Sequence, residues 1–274
     1  MATIRQFYGG AGVPLRIDGD VEGPAMAWGS QRARVRGWLS GLADSDWSGP
    51  TRCESWDTTG LVRHLASASQ FLGYTLHQAA SGEVTRLLQG MDTRTTVEAA
   101  ASMLGDMTPV AAQETLASAD AAVDAELAKM RGTDWGAFAE APPGQLPAHL
   151  VVSHFLFDSW VHEYDLMVPR GEHPAIDPLE AEVVARYLIG LAVVATGSHT
   201  PLDLHLSHPE LRIGITIVDD MVEVTSGQAP KAASVLEGRV EDVVDRTSGR
   251  VAGPVRGDER ALAVIDAFGQ LLAV

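Results

Sequence analysis

The chain carries a single cysteine, Cys53, among its 274 residues. No internal disulfide can staple the fold, and a Cys-x-x-Cys redox pair is excluded. Positive charge is scarce too: 20 Lys and Arg against 36 Asp and Glu leave a formal net charge of −16. Nucleic acid and anionic membrane surfaces both select for basic patches, so neither is an expected partner. An anionic substrate would need a local cationic site set against the overall field. No apolar run reaches the ~20 residues that a spanning helix requires, and the N-terminus lacks the basic-then-apolar order of a secretion signal. These absences predict a soluble, cytoplasmic protein. Also missing are a glycine-rich phosphate loop followed by Lys-Ser/Thr and a Gly-x-Ser-x-Gly elbow, which leaves nucleotide and acyl-enzyme chemistry without a carrier.

What is present supports a real core, since hydrophobic residues make up 46% of the chain. Residues 1–28 hold Gly9, Gly10, Gly12, Gly19 and Gly23 without sustained periodicity, and read as an irregular extension. Helical patterning starts near Ala27. A polar turn over 44–50 leads to a strong helix, which Asp57 or Thr58 would cap. Its inner stripe is Leu61, His64, Leu65, Ala68, Phe71, Leu72, Thr75 and Leu76. Further helices are expected over 97–104 and 110–130, then a Pro/Gly loop over 141–147, then a helix ending before Pro169-Arg170-Gly171. After Asp177 the pattern changes. One more helix (179–195) gives way to short strands over 202–206, 211–218 and 221–225, with Asp219-Asp220 as the hairpin turn. A strand at 232–236 and helices over 240–247 and 259–272 complete the reading. The fold class is α+β, with an all-helical domain over 29–176 and a smaller α+β domain over 177–274.

The helix before Pro169 carries the most informative stretch, His154-Phe-Leu-Phe-Asp158-Ser-Trp-Val-His162-Glu-Tyr-Asp165. Residues four apart on a helix lie one above another, so His154, Asp158 and His162 share a face with Leu150, Val151, Phe155, Val161 and Leu166. A carboxylate on a core-facing stripe is costly unless a metal, a cation or hydrogen bonds compensate it. Asp158 and His162 are spaced as two ligands of one divalent ion, and His64 is the natural third. Two histidines and one carboxylate leave a coordination position open, as catalytic sites do. Zinc suits the set, with iron, manganese, cobalt and nickel left open. The alternative is a hydrogen-bonded polar network with no ion. His154 is a donor to a ligand, an acid/base or a helix–helix hydrogen bond; Asp165 orients a ligand or ties down the helix end. His77 and His149 are expected at solvent or an interface, Trp47 and Trp56 as core anchors. Cys53 is expected as a small buried residue with nothing near it to activate the thiol.

Two signatures together resemble the mycothiol-dependent maleylpyruvate isomerase family of the DinB-like superfamily. The first is Thr51-Arg-Cys53-Glu-Ser-Trp56 followed by His64-Leu65-Ala66; the second is Asp158-Ser-Trp-Val-His162-Glu-Tyr-Asp165. The stretch Leu236-Glu-Gly238 with Ser248-Gly249-Arg250 is similar to the family's C-terminal region, so the resemblance spans about residues 28–272. It implies a DinB-like four-helix bundle followed by a small sterol-carrier-like α+β domain. The divalent metal, zinc by preference, would be held by His64, Asp158 and His162. Mycothiol, the small-molecule thiol of actinobacteria, would be cosubstrate, and a small-molecule electrophile would undergo cis–trans isomerisation or S-transfer. His154 would move protons and Arg250 would anchor an anionic group or the sugar thiol. A monomer or weak homodimer is expected. The family usually has Glu where this chain has Asp158; the shorter side chain would shift the ion, weaken its hold, or let His154 take part of the position. Two rival readings remain, a thiol-independent metalloenzyme of secondary metabolism and a non-catalytic small-molecule-binding protein.

Overall fold

A computed structural model describes residues 5–9, 12–91, 93–227 and 229–272. Strand β1 (Leu15–Ile17) is followed by helices α1 (Gly23–Leu39), α2 (Thr58–Ala80), α3 (Thr93–Ser102) and α4 (Pro109–Leu127). A hairpin of β2 (Phe138–Ala141) and β3 (Gly144–Pro147) precedes α5 (Ala148–Met167) and α6 (Pro178–Thr196). Strands β4 (Leu202–Ser207), β5 (Leu211–Val218), β6 (Met221–Ser226) and β7 (Ser234–Arg239) follow, then α7 (Val240–Thr247), β8 (Arg256–Gly257) and α8 (Glu259–Leu272). The class is α+β, as the hydrophobic patterning requires. Helices α1, α2, α4 and α5 pack together as the four-helix bundle. Among the described residues no helix is long and apolar enough to cross a membrane.

Local chemistry places the boundaries. Asp57 caps α2 by accepting the Gly60 N–H at 2.8 Å. Asp177 caps α6, with Pro178 at the first turn. Past α5 a short turn over 168–170 ends on Gly171 at φ 72°, a conformation glycine adopts without strain. The β5–β6 hairpin turns on Asp219 and Asp220 at φ 49° and 63°, which twists the chain in the sense that paired strands need.

Helix α6 joins the two halves. It packs against α1 and α5 on one side and against β1, β5 and β6 on the other. The approach to the sheet is close: a Cβ on Gly190 would meet Leu15 Cδ1 and Val224 Cγ2 at 2.8 Å each, so a larger residue would have to displace those side chains. One hydrophobic cluster runs from Leu150 and Trp160 in the bundle through Leu188 to Ile215 and Phe268.

Two expectations are corrected. The extension over residues 1–28, of which 1–4, 10 and 11 lie outside the described residues, is not irregular throughout. Leu15–Ile17 runs parallel to Val222–Val224 and forms the edge of a six-stranded sheet ordered β1-β6-β5-β4-β7-β8. Three residues are too few to show periodicity, and their partner lies in the last third of the chain. The expected loop over 141–147 belongs to the β2–β3 hairpin, and Gly144 also bridges to Phe7. The Pro and Gly that signalled a loop occupy its turn.

The bundle contains a buried ion network. Asp120 accepts from Arg32 Nε at 3.1 Å and Nη2 at 3.0 Å, from Ser69 Oγ at 2.8 Å, and from Arg36. Arg32 also donates to Ser159 Oγ at 2.6 Å. Removing one member of such a set leaves an uncompensated buried charge. Asp120→Ala should therefore cost about 3–5 kcal/mol of stability in urea unfolding; a loss under ~1 kcal/mol, the usual value of a surface pair, would refute a structural role for the network.

Candidate metal centre

The first signature is a loop folded onto the end of α5. The Thr51 hydroxyl donates to the Trp56 carbonyl at 2.8 Å and receives the Cys53 N–H at 3.0 Å, closing the turn. The Arg52 N–H donates to the Asp165 carbonyl at 3.1 Å. Arg170, just beyond α5, donates to the Asp46 carbonyl at 2.6 Å and to Thr58 Oγ1 at 2.7 Å. These bonds fix α2 beside α5, and His64 on the inner stripe of α2 then faces Asp158 and His162.

Asp158 lies between the two imidazoles. His64 Nε2 is 3.2 Å from Asp158 Oδ2, and His162 Nε2 is 3.5 Å from Asp158 Oδ1. The rings of His64 and His162 meet edge to face with centroids 4.8 Å apart. The Asp158 carboxylate thus reaches both histidines. Its side chain is 26% exposed, the histidines' 9% each. Burial favours the neutral acid, but the flanking imidazoles outweigh it and hold the Asp158 carboxyl well below the usual range.

His162 faces a second carboxylate. Its Nδ1 lies 2.9 Å from Asp165 Oδ2. A neutral imidazole has one N–H, and Asp165 claims it at Nδ1. The lone pair on Nε2 would then point at the Asp158 carboxylate. Either a second proton or a cation must resolve that repulsion. Burial alone would lower the His162 pKa, but Asp158 and Asp165 raise it well above normal. A divalent ion relieves the same repulsion, and the ligand atoms of His64, Asp158 and His162 all lie within 4.8 Å of one another. The donor set fits zinc and its neighbours.

A second triplet, Cys53, His162 and Asp165, is equally tight. It makes a poor cation site. Asp165 Oδ1 already receives Arg52 Nε at 2.7 Å and Oδ2 receives Arg250 Nη2 at 2.9 Å, so two guanidinium charges border it. Burial on its own would raise the Asp165 pKa, yet His162 and Arg250 keep it far below the ordinary carboxylate value. Its carboxylate fixes the orientation of the His162 ring through Nδ1.

The other expected residues fall as follows. Arg250, expected as an anion anchor, has its terminal nitrogens on Asp165 and on the Ser248 carbonyl at 2.8 Å. His154 Nδ1 pairs with the Tyr187 hydroxyl at 2.9 Å, an α5–α6 contact. Trp47 is buried in the core, whereas half-buried Trp56 stacks on the His64 ring at 5.0 Å rather than simply anchoring the turn. His77 is exposed, but His149 is held by the Trp135 carbonyl at 2.9 Å. Cys53 is less isolated than expected: Sγ is 3.2 Å from Asp165 Oδ2 and 3.8 Å from His162 Nδ1. Arg52 and Asp245 were not foreseen. The only hint was the place of Arg52 inside the first signature.

A helical bundle with two histidines and an aspartate converging between α2 and α5 defines a candidate metalloprotein. The family model for the mycothiol maleylpyruvate isomerase N-terminal domain matches residues 28–167, just over half of the chain, and the chain belongs to that family. No curated protein sequence matches it. It is similar in fold to the crystal structure of the mycothiol-dependent maleylpyruvate isomerase, with TM-score 0.62 and 20% identity over 88% of this chain and 94% of that one. A histidine-to-alanine mutant of that isomerase aligns with TM-score 0.62 and 19% identity over the same shares.

Burial pushes the His154 pKa down to about 4, only partly opposed by Asp158. Between that value and ~6.5 the unfolded chain binds the extra proton and the folded chain does not. This contribution is complete above the unfolded pKa and is lost as pH falls through the window. His154→Asn should remove on the order of 3 kcal/mol of the pH dependence of unfolding between pH 6.5 and 4. An unchanged slope in chemical denaturation across that range would show that His154 is not held neutral.

Proposed function

We propose that this chain is a mycothiol-dependent isomerase of the maleylpyruvate type, with a divalent ion, zinc by preference, held by His64 Nε2, Asp158 and His162 Nε2. The observation that carries this reading is the Asp158 carboxylate set between two imidazoles, one of which is committed at its other nitrogen to Asp165. A divalent ion held by His64, Asp158 and His162 would supply Lewis acidity that favours the thiolate form of the cosubstrate at neutral pH. Addition of the thiol to an activated double bond, rotation and expulsion would interconvert cis and trans isomers without net oxidation or hydrolysis.

The chain's own residues do the rest. Asp165 keeps the His162 proton on Nδ1 and its lone pair on Nε2 for coordination. Trp56, stacked on His64, limits rotation of that ring and keeps water from its face. His154, neutral and one turn before Asp158 on the same helix, is the proposed proton carrier. The nucleophile is brought in with the cosubstrate, so Cys53 need not react. The protein is proposed to work in the cytoplasm on a small-molecule electrophile.

His64→Ala and His162→Ala should each abolish bound metal and thiol-dependent isomerisation together. Elemental analysis of protein purified without a metal-affinity tag should find about one ion per wild-type chain. Stoichiometric metal retained in either variant would overturn the ligand set, and undiminished turnover without thiol would overturn the thiol dependence.

A further inference from the structure

Asp165 is fully buried, and beyond His162 and the Cys53 thiol it takes two guanidinium donors that reach it from distant parts of the chain. Arg52 comes from the loop before α2. It gives Nε to Asp165, and its two terminal nitrogens grip Asp245 on α7 at 2.7 and 2.9 Å. That bidentate fork fixes the guanidinium plane as well as its position. Arg250 follows α7, donates to the other oxygen of Asp165, and has its own N–H on the Asp245 carbonyl at 2.8 Å. Asp165, Asp245, Arg52 and Arg250 together carry two positive and two negative charges, so the network adds no net charge beside the proposed ligands. Its content is geometric.

We infer that Arg52 and Asp245 are positioning residues of the metal centre: the C-terminal region grips Arg52, Arg52 fixes the Asp165 carboxylate, and Asp165 sets the orientation of His162. The bundle carries all three ligands but takes the support of one of them from α7. The inference rests on the metal reading of His64, Asp158 and His162. Partners that orient a ligand histidine are typically worth about 10- to 100-fold in metal affinity, and loss of the Asp245 grip is expected at the low end because Arg52 retains its Asp165 contact.

The test is cobalt(II) titration of the metal-free protein, read by visible d–d absorption, on wild type, Asp245→Asn, Arg52→Lys and Asp266→Asn. The last variant breaks the Arg246–Asp266 pair between α7 and α8 (2.7 and 2.8 Å), an ion pair in the same region that does not touch Asp165. Asp245→Asn should bind cobalt roughly tenfold more weakly, with shifted bands, and Arg52→Lys, which keeps the charge but loses the fork, at least as weakly. Asp266→Asn should match wild type in affinity and spectrum. Thermal unfolding of the metal-free forms monitors folding; if Asp245→Asn does not fold, Arg52→Lys alone decides. Wild-type affinity and spectrum in the folded Asp245→Asn or Arg52→Lys variant would overturn the inference and leave the metal reading intact. Equal weakening in Asp266→Asn would also overturn it, as generic destabilisation. A wild type that binds no cobalt would remove the metal reading, and the inference with it.

Discussion

One imidazole facing two carboxylates is the constraint around which the centre is arranged. His162 has Asp165 at Nδ1 and Asp158 at Nε2, and a neutral ring cannot offer a proton to both. Everything nearby bears on that conflict. His64 shares the charge of Asp158, while Arg52 and Arg250 absorb that of Asp165. The difference in partners separates the two acidic groups by role. Asp165 is paired with two fixed cations and acts as a hydrogen-bond acceptor; among the described residues Asp158 makes its ion pairs with titratable rings and is partly exposed. Both triplets are spaced for a dication, but the two guanidinium groups on Asp165 set its triplet apart.

The scaffold delivers this arrangement through packing. α5 is buried on nearly every side, because the bundle covers one flank and α6 with the sheet covers the other. A helix so enclosed has little freedom to rotate, and its polar residues are held to the few partners that reach them. Asp158 is the residue in its middle that stays partly open. The Arg32–Asp120 network holds α1 to α4 within the same bundle. Gly190 lets α6 lie directly on β1 and β6, so the sheet supports the helix that in turn supports α5.

Much of this was legible in the sequence wherever the signal was local and periodic. The stripe on α2 placed His64 inward, the spacing on α5 put Asp158 and His162 on one face, and Asp219-Asp220 marked the β5–β6 turn. Signals that depend on distant partners were not legible. Leu15–Ile17 shows nothing of a strand until Val222–Val224 is beside it. The bidentate meeting of Arg52 with Asp245 joins two unremarkable charged residues across most of the chain. Arg250, expected as an anchor from its motif, has its pairing with Asp165 set by a residue far away in the chain.

The parallel pairing of β1 with β6 bears on how the molecule is assembled. During synthesis, Leu15 leaves the ribosome long before Val222, the residue it pairs with. Contacts so distant in sequence carry a high loop-closure cost and form late. The bundle helices can associate early, and Phe7 has its partner in the β2–β3 hairpin, but the sheet edge closes only once β6 exists. A nascent chain halted before β6 would therefore leave its first strand unpaired, an open edge of the kind that recruits other chains.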